Sequence, residues 1–151
     1  MRLPICLYGD AILRIKGQRI TEINDRIRDL AANMLETMRA ANGVGLAAQQ
    51  VGEPLQLTVL DISQVEDRPS TMKLNGHAVD PRSAMPLILI NPELSLGQET
   101  SIATEGCLSF PDITGEIERP ETVAARWTSP IRIIPPATGG RRSKCRTSLS
   151  F

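Results

Sequence analysis

Histidine is almost absent from this sequence: the 151 residues contain one, His77. A metal site that takes two histidines from one chain is therefore excluded, and a thiol hydrolase would have a single candidate base. Aromatic residues are also scarce, at 3% of the chain. Because single-stranded nucleic acids bind by stacking on aromatic side chains, we expect no nucleic-acid partner.

An excess of charge of either sign is lacking as well. The 17 basic and 17 acidic residues balance, so nothing in the composition draws the chain toward nucleic acid or anionic lipid. No stretch approaches the ~20 apolar residues of a membrane span. The opening residues, MRLPICLYGD, have too short an apolar run for a signal peptide. We expect a soluble cytoplasmic protein with no membrane partner.

Cysteine is present but sparse and widely spaced. The three cysteines are Cys6, Cys107 and Cys145, with no C-x-x-C pair. Their odd number and wide spacing disfavour a disulfide framework and an all-cysteine zinc site. The cysteines therefore fit a protein of a reducing compartment.

The clearest predicted element is a helix from about Asn24 to Ala41. Asn24 is a good N-cap, Asp25 lies in the first turn, and Asn42-Gly43 ends the helix. Apolar residues recur at three- and four-residue steps from Ile23 on and form one face. This pattern predicts a helix that packs against the core.

Short β-rich runs follow this helix and are separated by Gly, Pro and acidic residues. The predicted strands are Leu55–Ile62, Leu87–Ile90, Glu93–Leu96, Thr100–Leu108, Gly115–Glu118 and Thr122–Trp127. The polar stretch Ser63–Pro86, which holds His77, is predicted to be a connection. One core helix and many short strands predict an α+β fold with a mostly antiparallel sheet.

The last fifteen residues, ATGGRRSKCRTSLSF, are basic and follow Pro135-Pro136. We found no helical or alternating apolar pattern in them and predict a disordered tail over 137–151. The folded domain is then residues 1–136.

The stretch GVGLAAQQVG, residues 43–52, follows the helix directly. Its glycines allow close backbone approach, but it lacks the lysine and the spacing of a phosphate-binding loop. A helix C-cap followed by a turn is the simpler interpretation. The amide of Gln50 is the one side chain in it that can donate to a developing negative oxygen.

The stretch EGCLSFP, residues 105–111, places Cys107 at the end of a β-type run. Cys107 can be a metal ligand, a nucleophile or a core residue. A nucleophile needs a base, and His77 lies in an unrelated polar stretch. Taken alone, this stretch favours a buried structural cysteine.

Together, GVGLAAQQ and EGCLSFP resemble the first two signature motifs of the peptide deformylases. PICLYGDAILR is similar to that family's opening, and LILINPEL and ETVAARW occupy its expected positions. The resemblance covers about residues 3–127. Gln49 departs from the proline or threonine usual at its position.

The resemblance implies metal-dependent hydrolysis of the N-formyl group from the initiator methionine of new polypeptides. The substrate would be the N-formyl-methionyl end of nascent chains near the ribosome. Cys107 would ligate a divalent metal, iron(II) in the family with zinc or nickel as substitutes. Gln50 and the backbone N–H of Leu108 would polarise the formyl oxygen. Three backbone positions would pair with the substrate as an added strand: Val44, Gly45 and Gly106.

The third family motif, H-E-x-x-H on a C-terminal helix, is not in this sequence. The pattern breaks at about Thr128, after which there is no histidine or glutamate. Without two histidine ligands and the glutamate, the chain does not offer a tight site for a divalent metal, and we expect it to be inactive or strongly impaired. Neither His77 nor Cys145 has a sequence context that fixes it as a replacement ligand. Sheet surface that the missing helix would cover predicts self-association.

Two hypotheses account for this combination. A truncated or frameshifted deformylase gene predicts that a shifted frame after the codon for Trp127 encodes an H-E-x-x-H helix. The alternative is a non-catalytic module that binds formyl-methionyl peptides.

Overall fold

A computed structural model of the chain describes residues 1–65, 70–129 and 143–150. Within these residues one α-helix packs on an antiparallel sheet, which confirms the predicted α+β class. The helix α1 spans Asp25–Ala40. The strands are β1 Gly45–Ala47, β2 Leu57–Leu60, β3 Thr71–Leu74, β4 His77–Val79, β5 Leu87–Leu96, β6 Thr100–Cys107, β7 Phe110–Pro120, β8 Thr122–Ser129 and β9 Ser143–Ser150. Single 3-10 turns lie at Ala11–Arg14, Ala48–Val51 and Pro81–Ala84.

Helix α1 begins and ends where its sequence predicts. The Asn24 side chain accepts a hydrogen bond from the Ile27 N–H at 3.2 Å, as an N-cap does. At the other end Asn42 has φ 55°, and the Gly43 N–H donates to the Met38 carbonyl at 2.9 Å. The predicted apolar face is buried along its length: Ile27, Leu30, Ala31, Met34, Leu35 and Met38.

The described strands form a seven-stranded sheet in the order β1-β2-β5-β8-β9-β3-β4 and a separate two-stranded ribbon, β6-β7. All neighbouring strands are antiparallel. The buried face of α1 packs against β1, β2 and the start of β5 in one apolar cluster. Buried side chains from these strands are Leu46, Leu57, Val59, Ile88 and Ile90. This end of the sheet therefore carries the main core. GVGLAAQQVG lies here, and EGCLSFP, in the β6-β7 ribbon, packs against the same cluster through Leu108.

Strand β5 joins two predicted strands into one. The residues between them, Asn91-Pro92, interrupt the ladder, because the pairing of β5 with β8 shifts between Ile90 and Glu93. Asn91 is buried with φ 51°, and its side chain pairs with both backbone groups of Ile20 at 2.8 Å. The irregularity thus anchors the N-terminal segment to the sheet.

The polar stretch predicted as a plain connection contains the hairpin β3-β4. Asn75 and Gly76, with φ 52° and 86°, form its two-residue turn. Asn-Gly is the preferred pair for a type I′ hairpin turn because both positions need positive φ. This signal was present in the sequence and was missed.

Within the tail predicted to be disordered, residues 137–151, Ser143–Ser150 form β9 between β8 and β3. Cys145 and Leu149 are the only apolar residues of this segment in the sequence, so no alternation of apolar residues marks the strand. The remaining residues of the predicted tail and the boundary at 136 lie outside the described residues.

The described residues after Ala40 contain no α-helix. Residues 130–142, which follow the point near Thr128 where the family pattern breaks, lie outside the described residues. No helix among the described residues has the length and apolar character to cross a membrane.

Candidate functional site

The GVGLAAQQVG stretch combines an edge strand with a tight turn. Residues 45–47 form β1, whose Cα partners on β2 run from Gly45↔Leu60 to Ala47↔Thr58. The 3-10 turn Ala48–Val51 follows and ends at Gly52 with φ 83°. The prediction of a helix cap and turn was therefore wrong for 45–47. Three alternating small and apolar residues are too few for a strand to be recognised from periodicity alone.

The turn places the Gln50 side chain between its own strand and the EGCLSFP stretch. Its Oε1 accepts from the Ala47 N–H at 2.9 Å. Its Nε2 donates to Ser109 Oγ at 3.1 Å and lies 3.6 Å from Cys107 Sγ. The amide predicted to act as a donor thus contacts the predicted thiol directly.

The EGCLSFP stretch is the tight turn that joins β6 to β7. Cys107 ends β6, pairs with Phe110 at the start of β7, and has an exposed side chain. The expectation of a buried structural cysteine, drawn from this stretch alone, was wrong, because the turn holds Cys107 at the surface. An exposed thiol beside an amide donor is accessible to a ligand.

The Leu108 side chain joins the EGCLSFP stretch to α1. A Cβ built on Gly43 would lie 2.7 Å from Leu108 Cδ1 and 3.4 Å from Met38 Cγ. Gly43 therefore leaves the space that Leu108 occupies at the end of the helix. This packing fixes the position of the backbone beside Cys107.

The N-terminal segment connects the two stretches from outside. The Cys6 N–H donates to the Gln50 carbonyl, and the Tyr8 N–H donates to the Ser109 carbonyl, both at 2.8 Å. The Tyr8 and Phe110 rings pack with centroids 4.6 Å apart. PICLYGD thus holds the backbones on both sides of the Gln50–Cys107 contact.

The three backbone positions predicted to bind substrate lie on two strands. Val44, half-exposed, precedes β1, and its carbonyl accepts from the Asp61 N–H at 2.9 Å. Gly45 begins β1, which is an edge of the sheet as described. Gly106 lies in β6 opposite Thr114. An edge strand has backbone groups available for a further strand.

A partly buried ion pair supports the start of β1. Asp61, which directly follows β2, has a 7% exposed side chain and lies 2.5 Å from Arg39 Nη2. Burial raises the pKa of the Asp61 carboxyl, but hydrogen bonds from Ser63 and Arg39 outweigh it and lower that pKa overall. Asp61 therefore stays ionised and ties α1 to the strand that leads into the site.

The histidine is placed away from these residues. His77 lies in β4, the opposite edge of the seven-stranded sheet from β1, and its side chain is exposed. Cys145 lies in β9, opposite Trp127. Neither strand adjoins β1 or β6 in the described sheet order.

The donor set of the described residues does not fit a catalytic divalent metal. Such a site takes three protein ligands, and no three His, Cys, Asp or Glu side chains among these residues are grouped to share an ion. Cys107 is the one thiol beside Gln50 among the described contacts.

Ser109 is the contact residue that sequence reasoning missed. It is 2% exposed, yet its hydroxyl oxygen accepts a hydrogen bond from the Gln50 side-chain amide. Its position in the EGCLSFP stretch was the available signal, because a serine two residues after Cys107 can turn back toward the same partner.

Comparison with protein families gives a match over residues 2–130 to the model described as "Polypeptide deformylase". A peptide deformylase from Opitutus terrae is 43% identical over 129 residues, covering 84% of this chain and 67% of that protein. One from Endomicrobium trichonymphae is 42% identical over 127 residues, covering 84% of this chain and 66% of that protein. The chain thus spans about two thirds of the length of these relatives.

Solved structures give the same result. The crystal structure of peptide deformylase from Thermotoga maritima matches with a TM-score of 0.68 at 32% identity, covering 84% of this chain and 74% of that one. That from Ehrlichia chaffeensis matches with a TM-score of 0.70 at 31% identity, covering 84% and 68%.

Proposed function

Because this chain belongs to the polypeptide deformylase family, we propose that it recognises the N-formyl-methionyl end of new polypeptides beside Gln50 and Cys107. We further propose that the 151-residue chain by itself hydrolyses the formyl amide poorly or not at all. The observation that carries the proposal is the contact between the Gln50 amide and the Cys107 thiol, 3.6 Å apart. It joins the two family motifs that the chain contains.

Recognition would use donors and an open strand edge. A formyl group presents one carbonyl oxygen. The Gln50 amide and the Leu108 N–H would donate hydrogen bonds to it. The peptide that follows would pair with Val44, Gly45 and Gly106 as an added strand. The edge position of β1 supports this role, because an edge strand has one side without a sheet neighbour among the described strands.

The proposed impairment of hydrolysis follows from the small number of side chains that could ligate a metal. Cys107 is the proposed thiolate ligand for iron(II), or for zinc or nickel in its place. One thiolate leaves a divalent ion short of the three protein ligands of a catalytic site. The sequence also supplies no H-E-x-x-H glutamate to move the proton, a contribution of about 10²–10⁴-fold in rate. We also propose that the protein acts in the cytoplasm near ribosomes, where chains with an N-formyl-methionyl end are made.

A non-catalytic formyl-peptide-binding module is the second candidate. It is favoured by the Gln50 amide, which is fixed at both ends by Ala47 and Ser109. A fixed donor binds a carbonyl oxygen without needing a metal.

One experiment separates these functions. Formyl-Met-Ala-Ser is titrated into the metal-free chain and then incubated with iron(II)-, zinc- or nickel-loaded chain, with metal content measured on the same sample. We expect binding that exceeds that of unformylated Met-Ala-Ser, with little or no release of formate. Gln50→Ala should weaken binding of the formyl peptide.

Gln49→Ala is the matched control, because the Gln49 amide contacts the Ile15 carbonyl at 3.5 Å rather than the candidate site. Rapid turnover by the metal-loaded chain that is lost in Cys107→Ala would overturn the proposed impairment. Equal binding of formylated and unformylated peptides would overturn the proposed recognition.

A further inference from the structure

Ser109 combines deep burial with a polar contact to the candidate site. Its side chain is 2% exposed, and it lies in the turn between β6 and β7. A hydroxyl at that depth needs a hydrogen-bond partner, since an unsatisfied one costs free energy. The partner is the Gln50 amide, with Nε2 donating to Ser109 Oγ at 3.1 Å.

The orientation of the Gln50 amide is set by its other end. The Ala47 N–H is a donor and lies 2.9 Å from one terminal atom of Gln50, so that atom must be the oxygen. The nitrogen then faces Ser109 and Cys107. A hydroxyl accepts as readily as it donates, so Ser109 is compatible with this orientation.

The hydrogens of the amide show what Ser109 contributes. Nε2 carries two hydrogens, of which Ser109 Oγ takes one at hydrogen-bond distance. The other hydrogen points toward Cys107 Sγ, a weaker acceptor that lies 3.6 Å from Nε2. The terminal torsion of glutamine is otherwise broad. Two anchors, Ala47 and Ser109, therefore fix the plane in which the second N–H lies.

Ser109 is itself held in place by its backbone. The Tyr8 N–H donates to the Ser109 carbonyl, and the Cys6 N–H donates to the Gln50 carbonyl, both at 2.8 Å. The Tyr8 ring packs on Phe110, the residue after Ser109. Both partners of the hydrogen bond are thus attached to the same segment, which limits their relative movement.

We propose that Ser109 is a positioning residue: its buried hydroxyl holds the Gln50 amide so that the second amide hydrogen is presented beside Cys107. This role rests on the proposed recognition of a formyl group, because the presented hydrogen would meet the formyl oxygen. Ser109 acts through Gln50 and need not touch the substrate.

The test uses the full chain with Ser109→Ala, Ser109→Cys and the control Ser101→Ala, which removes an exposed hydroxyl from β6. The two side-chain N–H signals of Gln50 are identified in a ¹H–¹⁵N spectrum by their loss in Gln50→Ala. In Ser109→Ala and Ser109→Cys we expect these signals to move toward the values of a free glutamine amide. Ser101→Ala should leave them unchanged.

Peptide binding gives a second measurement. The ratio of the affinities for formyl-Met-Ala-Ser and Met-Ala-Ser should fall about three- to tenfold in Ser109→Ala, the effect of one hydrogen bond. A general loss of structure would lower both affinities and leave the ratio unchanged. Ser109→Cys keeps the shape of the side chain with a somewhat larger atom and replaces a strong acceptor by a weak one. It therefore provides the same test if the alanine variant does not fold.

Unchanged Gln50 signals in a folded Ser109 variant would overturn the proposal, as would an affinity ratio equal to that of Ser101→Ala. The proposed recognition of the formyl group is tested by a separate outcome. If the wild-type chain does not prefer the formylated peptide, recognition is wrong, whereas the Gln50 signals still decide whether Ser109 positions the amide.

Discussion

Gly43 shows how one missing Cβ brings two distant stretches together. Leu108 fills the space beside it, so Gly43→Ala would place a methyl group 2.7 Å from Leu108 Cδ1. The Leu108 side chain would have to move away from α1, which would disturb its packing beside Cys107. We expect a loss of about 1–3 kcal/mol in the free energy of unfolding, typical of overpacking. Urea unfolding of the variant measures it.

Gly115→Ala is the control for this prediction, because its new Cβ would meet only Ile117 Cδ1 at 4.0 Å, an ordinary contact. In the double variant with Leu108→Ala the added methyl has room. The cost of Gly43→Ala should therefore be smaller in that background. Equal costs in both backgrounds would show that Leu108 is not the residue displaced.

Asp61 predicts a pH dependence of stability. Its folded-state pKa is lowered, so its ionised form stabilises the fold fully above the unfolded value of about 4. That contribution is lost as pH falls below about 4 and through the lowered pKa. Asp61→Asn should be less stable than the wild type at pH 7 by about 1–3 kcal/mol, the range for a hydrogen-bonded charge. The difference should shrink in urea unfolding below pH 4.

Asp29→Asn, an exposed change on α1, is the matched control and should leave the pH profile unaltered. A constant difference between wild type and Asp61→Asn from pH 7 to pH 3 would contradict the assignment of this ion pair.

At the scale of elements, Asn91 links the N-terminal segment to β5. Its side chain makes two buried hydrogen bonds with the backbone of Ile20, each 2.8 Å long. Asn91→Gly removes both bonds but suits the φ of 51°. We expect a loss of about 1–3 kcal/mol for each buried group left unsatisfied. Asn91→Ala should cost about 1–2 kcal/mol more, because alanine disfavours this φ.

Hydrogen exchange provides a direct readout for this link. The Ile20 amide should lose its protection in Asn91→Gly. Asn75→Gly replaces an exposed asparagine of similar φ, 52°, and should leave Ile20 protected. Full protection of Ile20 in Asn91→Gly would mean that the segment is held by other contacts.

An element long enough to repeat its apolar pattern several times could be predicted from the sequence, whereas short elements could not. Helix α1 was predicted to within one residue because its cap and its apolar face agree. Strand β1 has three residues, GLA, which is too short for alternation to appear. The β3-β4 hairpin had a local signal in Asn75-Gly76, but its strands have few buried residues. Strand β9 gains its place from pairing with β8 and with β3, of which β3 is distant in sequence.

Some residues of the candidate site could also be predicted from the sequence, and others could not. Gln50 and Cys107 were identified from their motifs, and the structure brings their side chains together. Their roles in binding stay predictions. Ser109 and Tyr8 were missed because each contributes a contact across the fold rather than a reactive group, and the one sequence signal was that Ser109 lies within EGCLSFP.

At the scale of the whole molecule, the β6-β7 ribbon differs from the rest of the protein. It is a two-stranded unit apart from the main sheet, and isolated two-stranded units are marginally stable in water. Ile113 and Ile117, 61% and 36% exposed, lie on one of its faces, since alternate residues of a strand point the same way. The ribbon also ends at Cys107, so its stability bears on the site.

We expect this exposed ribbon face to make the 151-residue chain self-associate, because association would remove Ile113 and Ile117 from water. Sedimentation velocity over a concentration series should show a weight-average coefficient that rises with concentration. Replacing both residues by threonine keeps the β-branched shape and should reduce the rise. Ile15→Thr, at a 49% exposed position in the N-terminal segment, is the control and should leave it unchanged. A wild-type chain that stays monomeric at every concentration and melts cooperatively at high temperature would contradict this expectation.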